Sequence, residues 1–352
     1  EEIELSNHGC MLWGKAHSQY NESTMGYVGT GADDFEWHIS KNERGWTFHN
    51  LVGFMESHDE ERLMYNNLLY GNSSGNYDIQ ELNTSLKRMG QAAAFFFTVP
   101  GPKMLWQFGE LGYDYSINFP SNTDESRTAP KPVKWDYKED YYRYNLFLEY
   151  AALIKLKTNN TVFQTSNYRM ETWGTQKQIY IDDPQMNVTV IGNFNVIGDD
   201  TYTGFQHTGW WYDYMSGDSI NVTDVNMTIF LDPGDWKIFT DIKIETPDMN
   251  NPIDTSSALS VFNLNQENIT IYPNPIKNTT KISFNESGNA YLTIYNYLGE
   301  EVYSSYKKCN GINNYFIWDG KSNSGHDLIN GNYIVSIIVD DKVFKGKVSI
   351  IK

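Results

Sequence analysis

The chain has 352 residues, 40% hydrophobic and 15% aromatic, with a formal net charge of −17. That length and apolar content suit two or three domains with real cores. The acidity argues against nucleic acid or an anionic membrane as partner and is compatible with a neutral polysaccharide. No apolar run is long enough to span a membrane. The two cysteines, Cys10 and Cys309, stand far apart, so no disulfide is expected, and no metal-ligand spacing is present.

The first residues, EEIELSNHG, are neither a signal peptide nor a start methionine. They read as the middle of a helix, so the chain is expected to be a fragment cut at its amino end. A short helix and then a strand at Cys10 to Trp13 fall within Glu1 to Gly14. A polar aromatic loop, YNESTMGY, leads to an expected helix around Asp33 to Asn42. Next comes LVGFMESHDEERLMY, Leu51 to Tyr65. Leu51, Val52, Phe54 and Met55 suit a strand buried on both faces, as in a parallel sheet. Alternation along that strand points Glu56 and His58 the same way. Asp59 falls where the strand ends, with Glu60, Glu61 and Arg62 beyond. In parallel α/β folds the carboxyl ends of strands carry the chemistry.

Asp78 to Thr98 reads as a helix. Asp78 is its expected N-cap and Glu81 the capping-box partner. Leu82, Leu86, Met89 and Ala93 recur at helical spacing, and Pro100 and Gly101 end the element. PGPKMLWQFGELGYD, Pro100 to Asp114, again reads as a buried strand followed by a Gly-rich acidic turn. The helix between the two strands is what a parallel crossover needs. Asp140 to Lys157 forms a second amphipathic helix, with Leu146, Tyr150 and Leu153 on one face.

From Val162 to Thr240 the pattern changes to period two. MNVTVIGNFNV and INVTDVNMTIFLDPGDWKIFT read as antiparallel strands, with a turn at Pro233-Gly234. Residues 241–267 are polar and proline-bearing and read as a linker. From 268 to 352 a further β-domain follows, with strands separated by Gly/Asn turns.

The two apolar runs and their polar ends, His58-Asp59 and Gly109-Glu110, resemble the seventh and eighth strands of the α-amylase family of glycoside hydrolases (family 13). Many members carry an Asn before the His-Asp pair where this chain reads ESHD. The resemblance covers roughly residues 1–245. It implies that 1–161 are the last part, about strands six to eight, of a TIM (β/α)8 barrel. Residues 162–240 are then the antiparallel β-sandwich that follows the barrel in α-amylases. The YPNP opening, IYNYLGEEVY, GNYIVSI and a lysine-ended last strand resemble a type IX secretion sorting domain of Bacteroidetes, an immunoglobulin-like β-sandwich at the chain end.

The resemblance implies secretion, or display on the outer-membrane surface, through the type IX machinery. It implies an α-glucan polysaccharide or oligosaccharide as substrate. Asp59 becomes the transition-state stabiliser, and His58 donates a neighbouring hydrogen bond to the same sugar. Glu56, Arg62, Glu110, Tyr113 and Trp135 are the further substrate-side candidates. For Arg62 pairing with Glu56, for Glu110 ordering the barrel mouth, and for Tyr113 and Trp135 plain packing stand as alternatives. Retaining glycosidases need a nucleophile and a general acid about 5 Å apart. The family carries both on strands expected upstream of Glu1; Glu1, Glu2 and Glu4 are rejected for their helical setting. No cofactor is expected in this stretch, and calcium is left to the complete enzyme. A branching or transglycosylating enzyme of the same family, and a non-catalytic starch-binding protein, are the alternatives.

Overall fold

The computed structural model describes residues 1–249, 269–296, 301–310, 314–340 and 342–350. The chain divides into two compact units, Glu1–Ile253 and Asp254–Lys352.

In the first unit α1 (Glu2–Asn7) leads into β1 (Leu12–Lys15). Then come α2 (His17–Met25), α3 (Glu36–Ile39) and β2 (Leu51–Phe54). The helix expected over Asp33 to Asn42 is thus a single turn, because Asp33 is committed to the preceding loop. Its carboxylate accepts from the backbone of Gly29, Thr30 and Gly31. α4 (Leu63–Tyr70), a small ribbon of β3 (Ser73–Ser74) with β4 (Tyr77–Asp78), and α5 (Leu82–Phe97) follow, then β5 (Lys103–Met104). β1, β2 and β5 form one parallel sheet in that order. A Cβ on Gly14 of β1 would stand 2.5 Å from the His38 carbonyl, so glycine is what lets α3 lie on the sheet. The strand expected from Pro100 is only two residues long.

Asp78 does not cap α5. It lies in the ribbon, its carboxylate accepts from the Gln80 amide, and Glu81 takes the N-cap position without a side-chain cap bond. The capping pattern was misleading because the chain first pairs as a ribbon. α5 is buried along most of its length, including the guanidinium of Arg88, which donates to the carbonyls of Ser23, Thr24 and Phe194. One cation thereby ties the last turn of α2 to the loop after β8. α6 (Tyr141–Asn159) starts at Asp140, whose carboxylate accepts from the Tyr142 and Arg143 amides. Leu146, Tyr150 and Leu153 are buried, as the spacing requires.

The strands that follow are β6 (Tyr168–Glu171), β7 (Gln176–Ile181), β8 (Val188–Asn193), β9 (Asp199–Tyr202) and β10 (Gly209–Asp213). β11 (Ser219–Val222), β12 (Thr228–Leu231) and β13 (Trp236–Thr240) complete them. Six form an antiparallel sheet, β11-β10-β13-β8-β7-β6, while β9 and β12 pair separately. The run expected as one series of strands therefore splits between two sheets. β12 reaches β13 through the Pro233-Gly234 turn, with Gly234 at φ +82°. One face of the large sheet meets α5 and α6 in a core holding Phe95, Leu146, Tyr150, Ile179, Val190 and Ile238. The other supplies Ile191, Trp211 and Phe239 to a smaller core with Leu231 of β12. Residues on either side of position 161 thus pack into the same unit.

The second unit contains β14 (Thr270–Tyr272), β15 (Thr280–Phe284), β16 (Gly288–Tyr295), β17 (Glu301–Cys309) and β18 (Asn314–Trp318). β19 (Gly331–Val339) and β20 (Lys342–Ile350) end it. A three-stranded sheet, β14-β15-β18, and a four-stranded one, β17-β16-β19-β20, share a core. Period two is evident: Leu292 and Ile294 of β16, and Val335 and Ile337 of β19, point in and are fully buried. Most of the expected linker, residues 250–267, lies outside the described residues, as do 297–300 of the IYNYLGEEVY motif and the final Lys352.

Candidate active site

The polar loop between β2 and α4, Glu56 to Arg62, sits at the carboxyl end of the central parallel strand. β2 ends at Phe54, so strand alternation does not extend to Glu56 and His58. They do not point the same way: Glu56 is buried and His58 is exposed.

Glu56 is 5% exposed. Its carboxylate accepts from Arg62 Nη1 at 3.2 Å and from the Leu63 amide at 2.9 Å. A Cβ on Gly109 would come within 2.9 Å of the same carboxylate, so a side chain there would strike this pair. Arg62, itself 5% exposed, also donates to the Gln107 carbonyl at 2.9 Å, and its guanidinium lies 4.7 Å from the centre of the Tyr113 ring. The Glu56–Arg62 pair thereby ties the loop after β2 to the loop after β5. A buried pair of this kind survives desolvation only because further bonds saturate it.

The remaining loop carboxylates are also occupied. Glu60 accepts from Ser57 Oγ and pairs with Lys15 Nζ at 2.6 Å, at the end of β1. Burial works to raise its carboxyl, but the Lys15 and Ser57 bonds outweigh that and hold it below its ordinary value. Glu61 accepts from Ser116 Oγ at 2.7 Å and the Ile117 amide at 2.8 Å. Its carbonyl meets His17 Nε2 at 2.8 Å, and burial holds that imidazole below its usual range. Arg127 donates to the Asp59 carbonyl.

Only the His58 and Asp59 side chains are left open. They are 73% and 65% exposed, with Nε2 and Oδ2 at 3.3 Å. The His58 ring stands 5.9 Å from that of Trp106, on the loop after β5. An exposed carboxylate beside an imidazole and an indole, on a loop fixed on every other side, can accept hydrogen bonds from a ligand's hydroxyls and face a developing positive charge.

The other candidates lie apart from this pair. Glu110 is in a 3-10 turn, Gly109–Leu111, and burial raises its carboxyl against the pull of Lys138 and Arg62. Tyr113 is 2% exposed and donates to the Pro132 carbonyl at 2.7 Å, so it is a packing residue and offers no stacking face. Trp135 is 62% exposed, set edge-on against Phe108 at 4.9 Å. Sequence reasoning missed Lys15, His17, Trp106 and Arg127 as supports of the loop. The first two stand at the carboxyl end of a strand, as His58 and Asp59 do, which was a usable signal. Arg127 comes from a long irregular segment and left none. Among the described residues no three His, Cys, Asp or Glu side chains gather where they could hold a metal ion.

Residues 270–352 match the family described as the secretion system C-terminal sorting domain. The second unit carries an export signal. The sorting domain sends the chain out by type IX secretion. No helix among the described residues is long and apolar enough to cross a membrane. No curated protein sequence matches the chain. Solved structures do. An α-amylase from Geobacillus thermoleovorans, complexed with acarbose, aligns at 10% identity and TM-score 0.48, over 63% of this chain and 46% of that one. AmyP in complex with maltose aligns at 14% and 0.48, over 67% and 50%. The cyclomaltodextrin glucanotransferase CldA aligns at 15% and 0.47, over 64% and 43%. The chain spans about half the length of these structures.

Proposed function

We propose that the first unit contributes part of the catalytic centre of an exported retaining α-glucan hydrolase, with Asp59 as transition-state stabiliser and His58 beside it on the same sugar. The observation that carries this reading is the selective exposure of the loop after β2. Glu56, Glu60, Glu61 and Arg62 are consumed in bonds, and His58 and Asp59 alone face outward. The position supports it too. β1, β2 and β5 then correspond to strands six to eight of a (β/α)8 barrel, whose chemistry lies at the carboxyl ends of its strands. The strands of residues 162–240 correspond to the sandwich that follows such a barrel, and the sorting domain to an immunoglobulin-like one.

In this mechanism the glycosidic bond breaks through an oxocarbenium-like state. The Asp59 carboxylate holds the sugar hydroxyls and stabilises the positive charge as it grows. His58 donates to a neighbouring hydroxyl. Glu56 and Arg62 do not touch the sugar; they fix the loop. The nucleophile and general acid are assigned to no residue of this chain, since the carboxylates around Asp59 are tied up. A polypeptide of residues 1–352 alone is therefore expected to release no reducing ends from starch.

The test compares the full-length gene product with its Asp59→Asn variant on starch. Turnover is expected to fall by about 10²-fold or more with little change in ground-state binding, because an amide does not stabilise growing positive charge as a carboxylate does. Near-normal turnover would remove Asp59 from the mechanism. New branch points in place of free oligosaccharides would make it a branching enzyme, and binding without turnover a starch-binding protein.

A further inference from the structure

The β9–β12 pair presents a face that the site above does not use. In an antiparallel pair, facing residues share a side. Thr228 faces Tyr202 and Phe230 faces Asp200, and all four are exposed, whereas between them Thr201 is buried and its partner Ile229 half-buried. The outer face thus carries two aromatic rings on the diagonal of the pair, within reach of one another. Phe230 is 61% exposed and Tyr202 40%.

Neither ring is loose. Phe230 lies across Gly198, where a Cβ would come within 2.8 Å of its Cζ. The Tyr202 hydroxyl is held by Asn226 Oδ1 at 3.1 Å. Both are pinned on a sheet surface, so little side-chain entropy is lost when something stacks on them. Exposed aromatic rings fixed in this way call for a ligand with a flat apolar face.

Charge decides the class of ligand. Asp199 and Asp200 on β9 and Asp224 just ahead of β12 are exposed. A phosphate, sulfate, nucleic acid or anionic lipid would meet repulsion from these carboxylates. A neutral, hydroxyl-rich ligand meets acceptors instead, from Asp200 and the rim at Asn226. A pyranose combines the two requirements: C–H groups that cover a ring and hydroxyls that donate to a carboxylate or amide.

We propose that the outer face of β9 and β12 is an accessory glycan-holding platform, in which Tyr202 and Phe230 stack on sugar rings and Asp200 accepts their hydroxyls. That the glycan is an α-glucan rests on the function proposed above; the platform itself does not. It would keep a polysaccharide chain on the exported protein without taking part in bond cleavage.

The experiment is affinity electrophoresis of residues 1–352 in native gels containing soluble starch or, in parallel, mixed-linkage β-glucan or xyloglucan. Starch is expected to retard the wild type. Tyr202→Ala or Phe230→Ala should weaken retardation roughly three- to tenfold in apparent affinity, and the double variant further. Phe230→Tyr should keep it. Both side chains are exposed, and an unchanged melting temperature checks that the variants fold. Retardation by starch that survives the double substitution overturns the platform. Retardation by another neutral glycan alone, lost in the double variant, keeps the platform and overturns the α-glucan reading. Concentration-dependent dimerisation abolished by the same variant would show the face to be a self-contact and overturn the glycan.

Discussion

The loop at Glu56 to Arg62 and the sorting domain solve opposite problems. The sorting domain builds its core from its own alternating strands, with apolar side chains in and polar ones out. The loop instead buries charge: Glu56, Glu60 and Arg62 are each under one-tenth exposed, and each is held by a named partner from another element. The two regions also differ in sign. Residues 270–352 carry nine Lys and seven Asp or Glu, a net +2, while residues 1–269 carry eighteen Lys or Arg against thirty-seven acids, a net −19. A strand sandwich tolerates surface change because its information lies in the alternation of apolar positions. A loop fixed by buried charge fails when one partner goes, since the other is left desolvated.

The largest expected effect separates the two regions by deletion. Removing residues 270–352 should abolish secretion while leaving the glucan hydrolysis proposed above unchanged relative to the undeleted gene product, as measured by cell fractionation and reducing-end assay. Continued secretion would make the second unit a spacer.

Glu56→Ala should be next. It leaves the Arg62 guanidinium buried without its counter-charge, at a cost of about 3–5 kcal/mol. Denaturant unfolding should show the first unit's transition moving and the sorting domain's staying in place. A shift of both would mean that the loop's buried charge also supports the second unit, and no shift would mean that water replaces the lost carboxylate.

The smallest effect is on pH dependence. Burial raises the Glu149 carboxyl to about 7 and lowers the Lys157 ammonium to about 7. The folded state keeps the Glu149 proton between the ordinary value of 4.5 and about 7, so this stabilisation is lost as pH rises through that window. Lys157 acts the other way: the unfolded chain binds the extra proton between about 7 and 10.5, so stability rises with pH there. Thermal denaturation of the first unit should therefore show a shallow minimum near pH 7. Glu149→Gln should flatten the acid arm and Lys157→Met the alkaline one. An unchanged profile in both variants would place the pH dependence elsewhere.

Local pattern alone determined much of this protein. Period two placed the strands from Tyr168 to Thr240 and from Thr270 to Ile350, and helical spacing of Leu146, Tyr150 and Leu153 placed the helix expected over Asp140 to Lys157. Strand-end chemistry singled out the loop that holds His58 and Asp59. These signals are legible because each depends on residues a few positions apart. Tertiary structure decided what depends on distant partners. It ended β2 at Phe54, split β11 and β13 from β12, turned Asp78 away from α5 and buried Tyr113 beneath Arg62. It also chose, among the charged residues between Glu56 and Arg62, which two remain open. Lys15 and Ser116, from other segments, take up Glu60 and Glu61, and Glu56 is held by Arg62 and by the Leu63 amide of α4. Burial of charge is settled by the partner that compensates it, and that partner is fixed only when the chain has folded.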